Sequence, residues 1–346
     1  MGREITTEII EFIKENPNLS SKGIHEGLKS GVGYATVKRV ISRLVSDNLV
    51  QQHGNGKARK YLISPAYDLF YPIDIDSYFQ KEVDDRSIKD GFNFTLIRDV
   101  LSHAHLFTED ELKHLDTLQE IFKANSSKLS EVEYKKEMER LSIDLSWKSS
   151  QIEGNTYSLL ETERLLKEKE TASGKTKDEA VMLLNHKDAL DFILENPTYL
   201  KPLTVARIED IHSILIKELG VDRNVRVRRV GITGTNYKPL DNEFQIREAL
   251  VDMCLLINRC ENVFEKALLL LVLLSYIQPF VDGNKRMARI VSNAELLANG
   301  YCPLSFRTIE SVEYKKAMLL FYEQNNITAF KKIFIDQFEF AVNTYF

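Results

Sequence analysis

From Ser130 to Asn343 the chain writes apolar residues at helical spacing in run after run, and only one stretch breaks that rhythm. The runs fall at 132–151, 159–169, 178–195, 204–219, 244–259, 264–277, 283–299, 311–325 and 327–343. Between the fourth and fifth lies 225–242, where Val225, Val227, Val230 and Ile232 sit around the turn signal Gly234-Thr235-Asn236. Alternation around a turn predicts a β-hairpin there. A chain so patterned can only be a mainly α protein with one β excursion. It has 346 residues, enough for two or three domains.

The first 65 residues read differently. They carry ten Lys and Arg against six Asp and Glu, a net charge of +4, so the rest of this −5 chain carries −9. Three short helical patterns, the third over 34–48 with Val37, Val40, Ile41, Leu44 and Val45 as its stripe, precede two strand-like runs around Gly54-Asn55-Gly56-Lys57. That order resembles a winged helix-turn-helix. If it binds DNA, Lys38, Arg39 and Arg43 face the groove, while Lys57, Arg59 and Lys60 in the wing meet phosphates. A protein-docking or dimerisation module is the alternative for the same pattern. Residues 66–129 read as a connector, aromatic-rich at first and then irregularly helical, and 130–346 as the core.

Other classes are excluded by simple features. Three scattered cysteines, Cys254, Cys260 and Cys302, make neither a disulfide framework nor a zinc site. The longest apolar run, 267–274, is far short of a membrane span. With no apolar leader at the start of the sequence, a cytoplasmic protein is expected.

The chemistry concentrates in Tyr276-Ile277-Gln278-Pro279-Phe280-Val281-Asp282-Gly283-Asn284-Lys285-Arg286-Met287-Ala288-Arg289. An apolar helix must end before Pro279, and a new one starts at Gly283, which permits a turn closed to other residues. The free N–H groups of the new helix make an anion-binding cup. Arg286 and Arg289 project from one face of its first turns, and Asp282 at the rim is a hard oxygen ligand suited to Mg²⁺. Together these describe a site for a nucleotide polyphosphate.

At these residues the chain resembles the Fic family, whose motif reads His-Pro-Phe-x-Asp/Glu-Gly-Asn-Gly/Lys-Arg-x-x-Arg. The resemblance implies a helical Fic-like core with a β-hairpin flap, and a protein adenylyltransferase that moves AMP from ATP to a hydroxyl of a target protein. It implies Mg²⁺ on Asp282 and phosphates held by Gly283, Asn284, Lys285, Arg286 and Arg289. Two positions depart from the pattern. The histidine that serves as general base is Gln278, and an amide cannot take a proton at useful pH. Lys285 stands where many members have Gly, which resembles the Doc branch and leaves AMP or phosphate as the transferred group. Upstream, Ser149-Ser150-Gln151-Ile152-Glu153-Gly154 resembles the family's inhibitory motif Ser/Thr-x-x-x-Glu-Gly/Asn, which implies that Glu153, with Ser149 and Gly154, occupies the end of the phosphate site at Arg289. The flap, here Val230, Gly231, Ile232, Thr233 and Gly234, is implied to hold the target as an added strand.

His186 and His212 lie in helical patterns and read as structural. The leading expectation is an autoinhibited AMP transferase with ATP and Mg²⁺ as its cofactors, a protein target, no membrane partner, and a homodimer as one option. The alternative is a catalytically degenerate, DNA-binding, nucleotide-sensing regulator.

Overall fold

A computed structural model of the chain describes residues 2–89 and 91–346, with the backbone alone for Gly2, Arg3 and Lys57. Its N-terminal part is a winged helix: α1 Gly2–Glu15, α2 Ser21–Gly27, α3 Tyr34–Ser46, β1 Val50–His53 and β2 Lys60–Ile63. β1 and β2 pair antiparallel with Val50 opposite Ile63, and a single bridge joins Leu19 to Tyr61. Ile9, Ile10 and Ile13 of α1 close over Ile24, Val37, Ile41 and Leu44, all buried. These are the apolar positions that helical spacing places on one face of each element.

The connector holds α4 Tyr67–Phe70, α5 Ile75–Phe79, a π-turn at Leu96–Val100 and α6 Glu109–Ser126. It binds the head to the core: Asn326 Nδ2 donates to the carbonyls of Asp68 (2.8 Å) and Tyr71 (2.7 Å), and Ile327 N to that of Leu69 (3.0 Å). One cluster of buried apolar residues extends from α1 to the C-terminus, and a small second one gathers Tyr157, Leu165, Ala180 and Leu183.

The core follows as α7 Glu131–Ile152, α8 Leu159–Glu168, α9 Lys177–Glu195, α10 Val205–Leu215, α11 Glu243–Arg259, α12 Val263–Ile277, α13 Asn284–Ala298, α14 Ser311–Gln324 and α15 Thr328–Tyr345. The starts of α6 through α9 carry reciprocal caps, Thr108 with Glu111, Ser130 with Glu133, Ser158 with Glu161 and Thr176 with Glu179. α12 is apolar around its whole circumference and is accordingly the central helix, with 267 through 274 each at most 2% exposed. α13 lies against it, close enough for Ser292 Oγ to donate to the Ala267 carbonyl at 2.8 Å. α7, α9 and α10 flank α13, while α11, α14 and α15 flank α12.

One expectation fails. Residues 225–242 form no strand pair, and the sheet of β1 and β2 is the only one among the described residues. Val230, Gly231, Ile232, Thr233 and Gly234 therefore lie in an irregular loop rather than a hairpin. The reason is Arg226. Alternation would send it outward, but it is 2% exposed and supplies the cross-links a ladder would have made. Its guanidinium donates to the carbonyls of Gln278 (2.7 Å), Arg228 (2.7 Å) and Leu240 (2.5 Å). Val227 is left 66% exposed.

Candidate active site

The apolar run of α12 stops at Gln278, which takes a left-handed conformation (φ 51°) and turns the chain into Pro279. Gly283 then adopts φ 83° as the residue before α13. Any side chain would be strained there, and a Cβ would meet the His212 ring at 3.5 Å. The loop between these turns is knotted from inside by Asn284. Its Oδ1 accepts from Phe280 N (2.9 Å), and its Nδ2 donates to the Phe280 carbonyl (2.8 Å) and to Gln278 Oε1 (3.0 Å). The Asn284 amide is thus engaged by the loop itself; what it offers an anion is its backbone N–H in the first turn of α13.

His212 supports the loop from α10. Its ring stacks on Phe280 at 3.7 Å, with Nε2 2.9 Å from the Asp282 carbonyl and Nδ1 3.1 Å from that of Arg223. Burial pushes its pKa down, against the pull of the two carbonyls. Both ring nitrogens face carbonyl oxygens, so neither is placed to take a substrate proton. His186 is buried too, with Nδ1 3.2 Å from Ser146 Oγ, and burial beside Arg289 and Arg286 holds it neutral.

Above the loop, α13 aims its cations into a cleft of about 390 Å³. Arg286, 1% exposed, donates through Nη2 to Asp282 Oδ2 (2.9 Å) and leaves Nε and Nη1 buried without a partner. Arg289, fully buried, donates from Nε to Ser149 Oγ (2.8 Å) and from Nη2 to the Ser149 carbonyl (2.9 Å) and Glu153 Oε1 (3.0 Å). Its Nη1 is also unpartnered, and its guanidinium stands 5.1 Å over the Tyr314 ring. Three buried N–H-bearing atoms without acceptors call for an anion.

Glu153 reaches this place because α7 ends there. It is the last, half-helical residue, and Gly154 (φ 101°) reverses the chain with its N–H on the Gln151 carbonyl. Its carboxylate spans two cations, Arg289 at 3.0 Å and Lys285 Nζ at 3.3 Å. Burial alone would raise its pKa, but Arg289, Lys285 and Arg286 outweigh burial and hold it below the ordinary value of 4.5. The Lys285 contact was not legible from the motif, which pairs Glu153 with Arg289 only.

The cleft also collects Gln278, Asp282, Gly283, Ile152, Gly231, Ile232, Thr233, Val281 and, from α14, Lys315, Met318, Leu319 and Tyr322. Gln278 is itself tied down, its Nε2 donating to the Ser275 carbonyl at 2.6 Å. Asp282 is exposed, with Oδ1 on Gly283 N (2.6 Å) and Oδ2 on Arg286. Each oxygen keeps a free lone pair. No group of three metal-ligating side chains occurs among the described residues, so a Mg²⁺ here would need phosphate and water oxygens beside Asp282. A larger groove of about 950 Å³, between 97–105 and the facing parts of α11 and α12, shares no residue with this cleft. Its Arg98 is already paired with Asp252 and Glu248, both at 2.6 Å.

In the head, Lys38, Arg39, Arg43, Arg59 and Lys60 are all exposed, while the side chain of Lys57 lies outside the described residues. Lys38 Nζ sits 5.8 Å over the Tyr34 ring, and Arg43 pairs loosely with Asp47 at 3.5 Å.

Comparison with known proteins agrees with both halves. Residues 202–296 match the Fic/DOC family, and residues 4–86 match the penicillinase repressor family. The protein adenylyltransferase Fic of Nematostella vectensis is 29% identical over 172 residues, 48% of this chain and 40% of that protein. The Drosophila grimshawi protein of the same name is 24% identical over 205 residues, 56% of this chain and 41% of that protein. The chain thus spans about two fifths of the length of these relatives. A Fic domain-containing signalling protein from Bacteroides thetaiotaomicron has the same fold, with TM-score 0.57 at 20% identity over 67% of this chain and 95% of the other. Fic-1 from C. elegans gives 0.58 at 20% over 68% and 71%. The chain therefore carries a Fic/DOC-family domain at residues 202–296, behind an N-terminal winged helix.

Proposed function

We propose that the chain is a Fic-type protein adenylyltransferase held in an inhibited state by Glu153. The observation that carries this reading is the placement of the Glu153 carboxylate between Arg289 and Lys285, in the wall of a cleft that Lys285 and Arg286 also line, while Arg286 and, behind it, Arg289 keep unpartnered N–H groups. A carboxylate in that position stands in for the terminal phosphate of ATP and must leave before it binds. With ATP in place, the N-terminus of α13, Arg286 and Arg289 hold the phosphates. Asp282 would hold a Mg²⁺, which would supply charge neutralisation of the phosphate oxygens. The 230–234 loop faces the target protein. Transfer forms a bond from the target hydroxyl oxygen to the α-phosphorus and breaks the α–β bridge, releasing pyrophosphate.

The hydroxyl proton has no acceptor in Gln278 and is lost to solvent water. Positioned base catalysis contributes about 10²–10⁴-fold, so the wild-type chain is a slow transferase whose rate comes from phosphate positioning. The test compares wild type, Gln278→His, Glu153→Gly and the double variant with α-labelled and γ-labelled ATP. Self-labelling by the double variant from α-label is expected. Label from γ-ATP alone would make the protein a kinase, and label from neither would end the enzyme reading.

One observation favours a second reading, a regulator that senses nucleotide and binds DNA. The Gln278 amide is held at both ends, by the Ser275 carbonyl of α12 and by Asn284 of α13, while the head presents an exposed basic face on α3. ATP binding without transfer, together with DNA binding by the full chain, would select it.

A further inference from the structure

The 228–236 loop has no ladder to hold it, yet Gly231, Ile232 and Thr233 form one wall of the cleft. Arg226 braces its inner end. We propose that Arg86, in the connector, is a positioning residue that fixes the outer end of this wall and so sets the fit of the nucleotide's non-phosphate part.

Arg86 is 7% exposed and donates from Nη2 to the Gly234 carbonyl at 2.6 Å. Its Nη1 stands 3.2 Å from Glu323 Oε1, an ion pair whose side chains are 3% and 0% exposed. The other Glu323 oxygen accepts from Tyr78 OH at 2.6 Å, and the guanidinium lies 5.0 Å over the Phe79 ring. Beside it, Asn236 Nδ2 donates to Asp84 Oδ1 at 2.8 Å. Glu323 belongs to α14, the helix that lines the cleft with Lys315, Met318 and Leu319. The loop backbone rests on that helix, since a Cβ on Gly234 would stand 3.5 Å from Leu319. One buried guanidinium thus ties connector, loop and α14 together.

The phosphate floor is held by other bonds. Asn284, Arg226 and His212 fix the 278–284 loop, and no hydrogen bond or ion pair among the described residues links Arg86 to it. Loosening the wall at Arg86 therefore leaves the bonds of the floor in place, Arg226 included. Floor residues are cationic, whereas Ile232, Met318 and Leu319 offer the apolar surface a nucleoside requires. The inference rests on the nucleotide reading of the cleft.

The test uses the full chain in the Glu153→Gly background, titrated by calorimetry with ATP and with inorganic tripolyphosphate, both with Mg²⁺. Removing a buried partner of Glu323 can harm folding, so Arg86→Met is paired with Arg86→Met/Glu323→Gln and with Arg86→Lys. Lysine can keep the ion pair but lacks the fork that also reaches Gly234. All three variants should bind ATP more weakly, by about five-fold or more, with tripolyphosphate unchanged. Amide hydrogen exchange at 231–237 should rise in all three. Unchanged ATP affinity overturns the proposal, as does an equal loss for both ligands, which a general loss of structure would produce. If the Glu153→Gly protein binds neither ligand, the nucleotide reading fails by itself. Exchange at 231–237 then decides alone whether Arg86 holds the loop.

Discussion

Replacing Glu153 by Gly should tighten ATP·Mg²⁺ binding by a factor that the latch geometry sets. The carboxylate makes two charge-assisted contacts, 3.0 Å to Arg289 and 3.3 Å to Lys285. Such bonds contribute about 1.5–3 kcal/mol each. Opening returns hydration to a carboxylate that is 20% exposed when latched, and this recovers part of the sum. A net latch of about 2–3 kcal/mol follows, so the open fraction is about 1/30 to 1/150 and apparent affinity falls by the same ratio. Calorimetry at fixed Mg²⁺ should therefore show a 30–150-fold gain, to order of magnitude, in Glu153→Gly. Glu153→Gln keeps one neutral acceptor and should fall between the two. Because the Glu153 pKa is depressed, the latch is fully formed above its ordinary value of 4.5 and is lost only as pH falls through the lower folded value. The gain should be flat across about pH 6–8. Without nucleotide, the variant leaves fully buried Arg289 with no carboxylate, facing only Ser149 and the Tyr314 ring, so its melting temperature should drop and ATP should restore it. Equal affinities for wild type and Glu153→Gly would refute the reasoning, and so would a gain that vanishes between pH 6 and 8.

Three other perturbations separate roles that the motif runs together. Asn284→Ala should destabilise the fold by about 2–3 kcal/mol, because Phe280 N loses its buried acceptor, and urea unfolding should show this without any nucleotide present. The Glu179 carboxylate accepts from Thr156 and Thr176 and is thereby drawn down to about 2. Its contribution, on the order of 1 kcal/mol once solvent screening is allowed for, is present above pH 4.5 and lost towards pH 2. The melting difference between wild type and Glu179→Gln should accordingly shrink from pH 7 to pH 3. For the head, full-chain binding to duplex DNA should weaken steeply with salt, and Lys38→Ala or Arg43→Ala should each flatten the slope of log affinity against log salt by roughly one; no binding at low salt would favour the docking-module reading.

Most helices were legible because each apolar stripe has a stop the eye can find. Pro279 and Gly283 bound the loop between α12 and α13, and Ser or Thr three residues before Glu marks the starts of α6 through α9. The segment 225–242 was misread for a specific reason. Alternation counts side-chain polarity and is blind to a guanidinium that finds three carbonyls, so Arg226 goes in and Val227 comes out. Burying a satisfied arginine fixes three strands of chain at once, which a half-buried valine cannot do. The same blindness hid the Lys285 contact with Glu153 and the use of the Asn284 amide as a knot. The first depends on a partner brought close by the fold from 132 residues away, and the second on the left-handed turns at Gln278 and Gly283 that fold the loop back onto Asn284. Sequence spacing therefore located the site but not the division of labour inside it.

That division bears on how inhibition is organised. In the proposed transferase Glu153 would act on binding, by holding Arg289 and Lys285, whereas Gln278 would act on chemistry, by failing to take a proton. The two effects fall on successive steps, so their free energies add. A latch of about 2–3 kcal/mol and a missing base of about 3–5 kcal/mol (the equivalent of 10²–10⁴-fold) together suppress turnover at low ATP by about five to eight kcal/mol. Either single substitution leaves one barrier whole, and saturating ATP removes only the first. Gln278 nonetheless keeps the loop in shape, since its amide accepts from Asn284 and donates to the Ser275 carbonyl. A histidine at 278 lacks one of those functions whichever tautomer it takes, because its second nitrogen must stay free to act as the base. Restored chemistry at this position therefore comes with a looser Phe280–Asn284 knot, and the double variant should gain rate while losing some thermal stability.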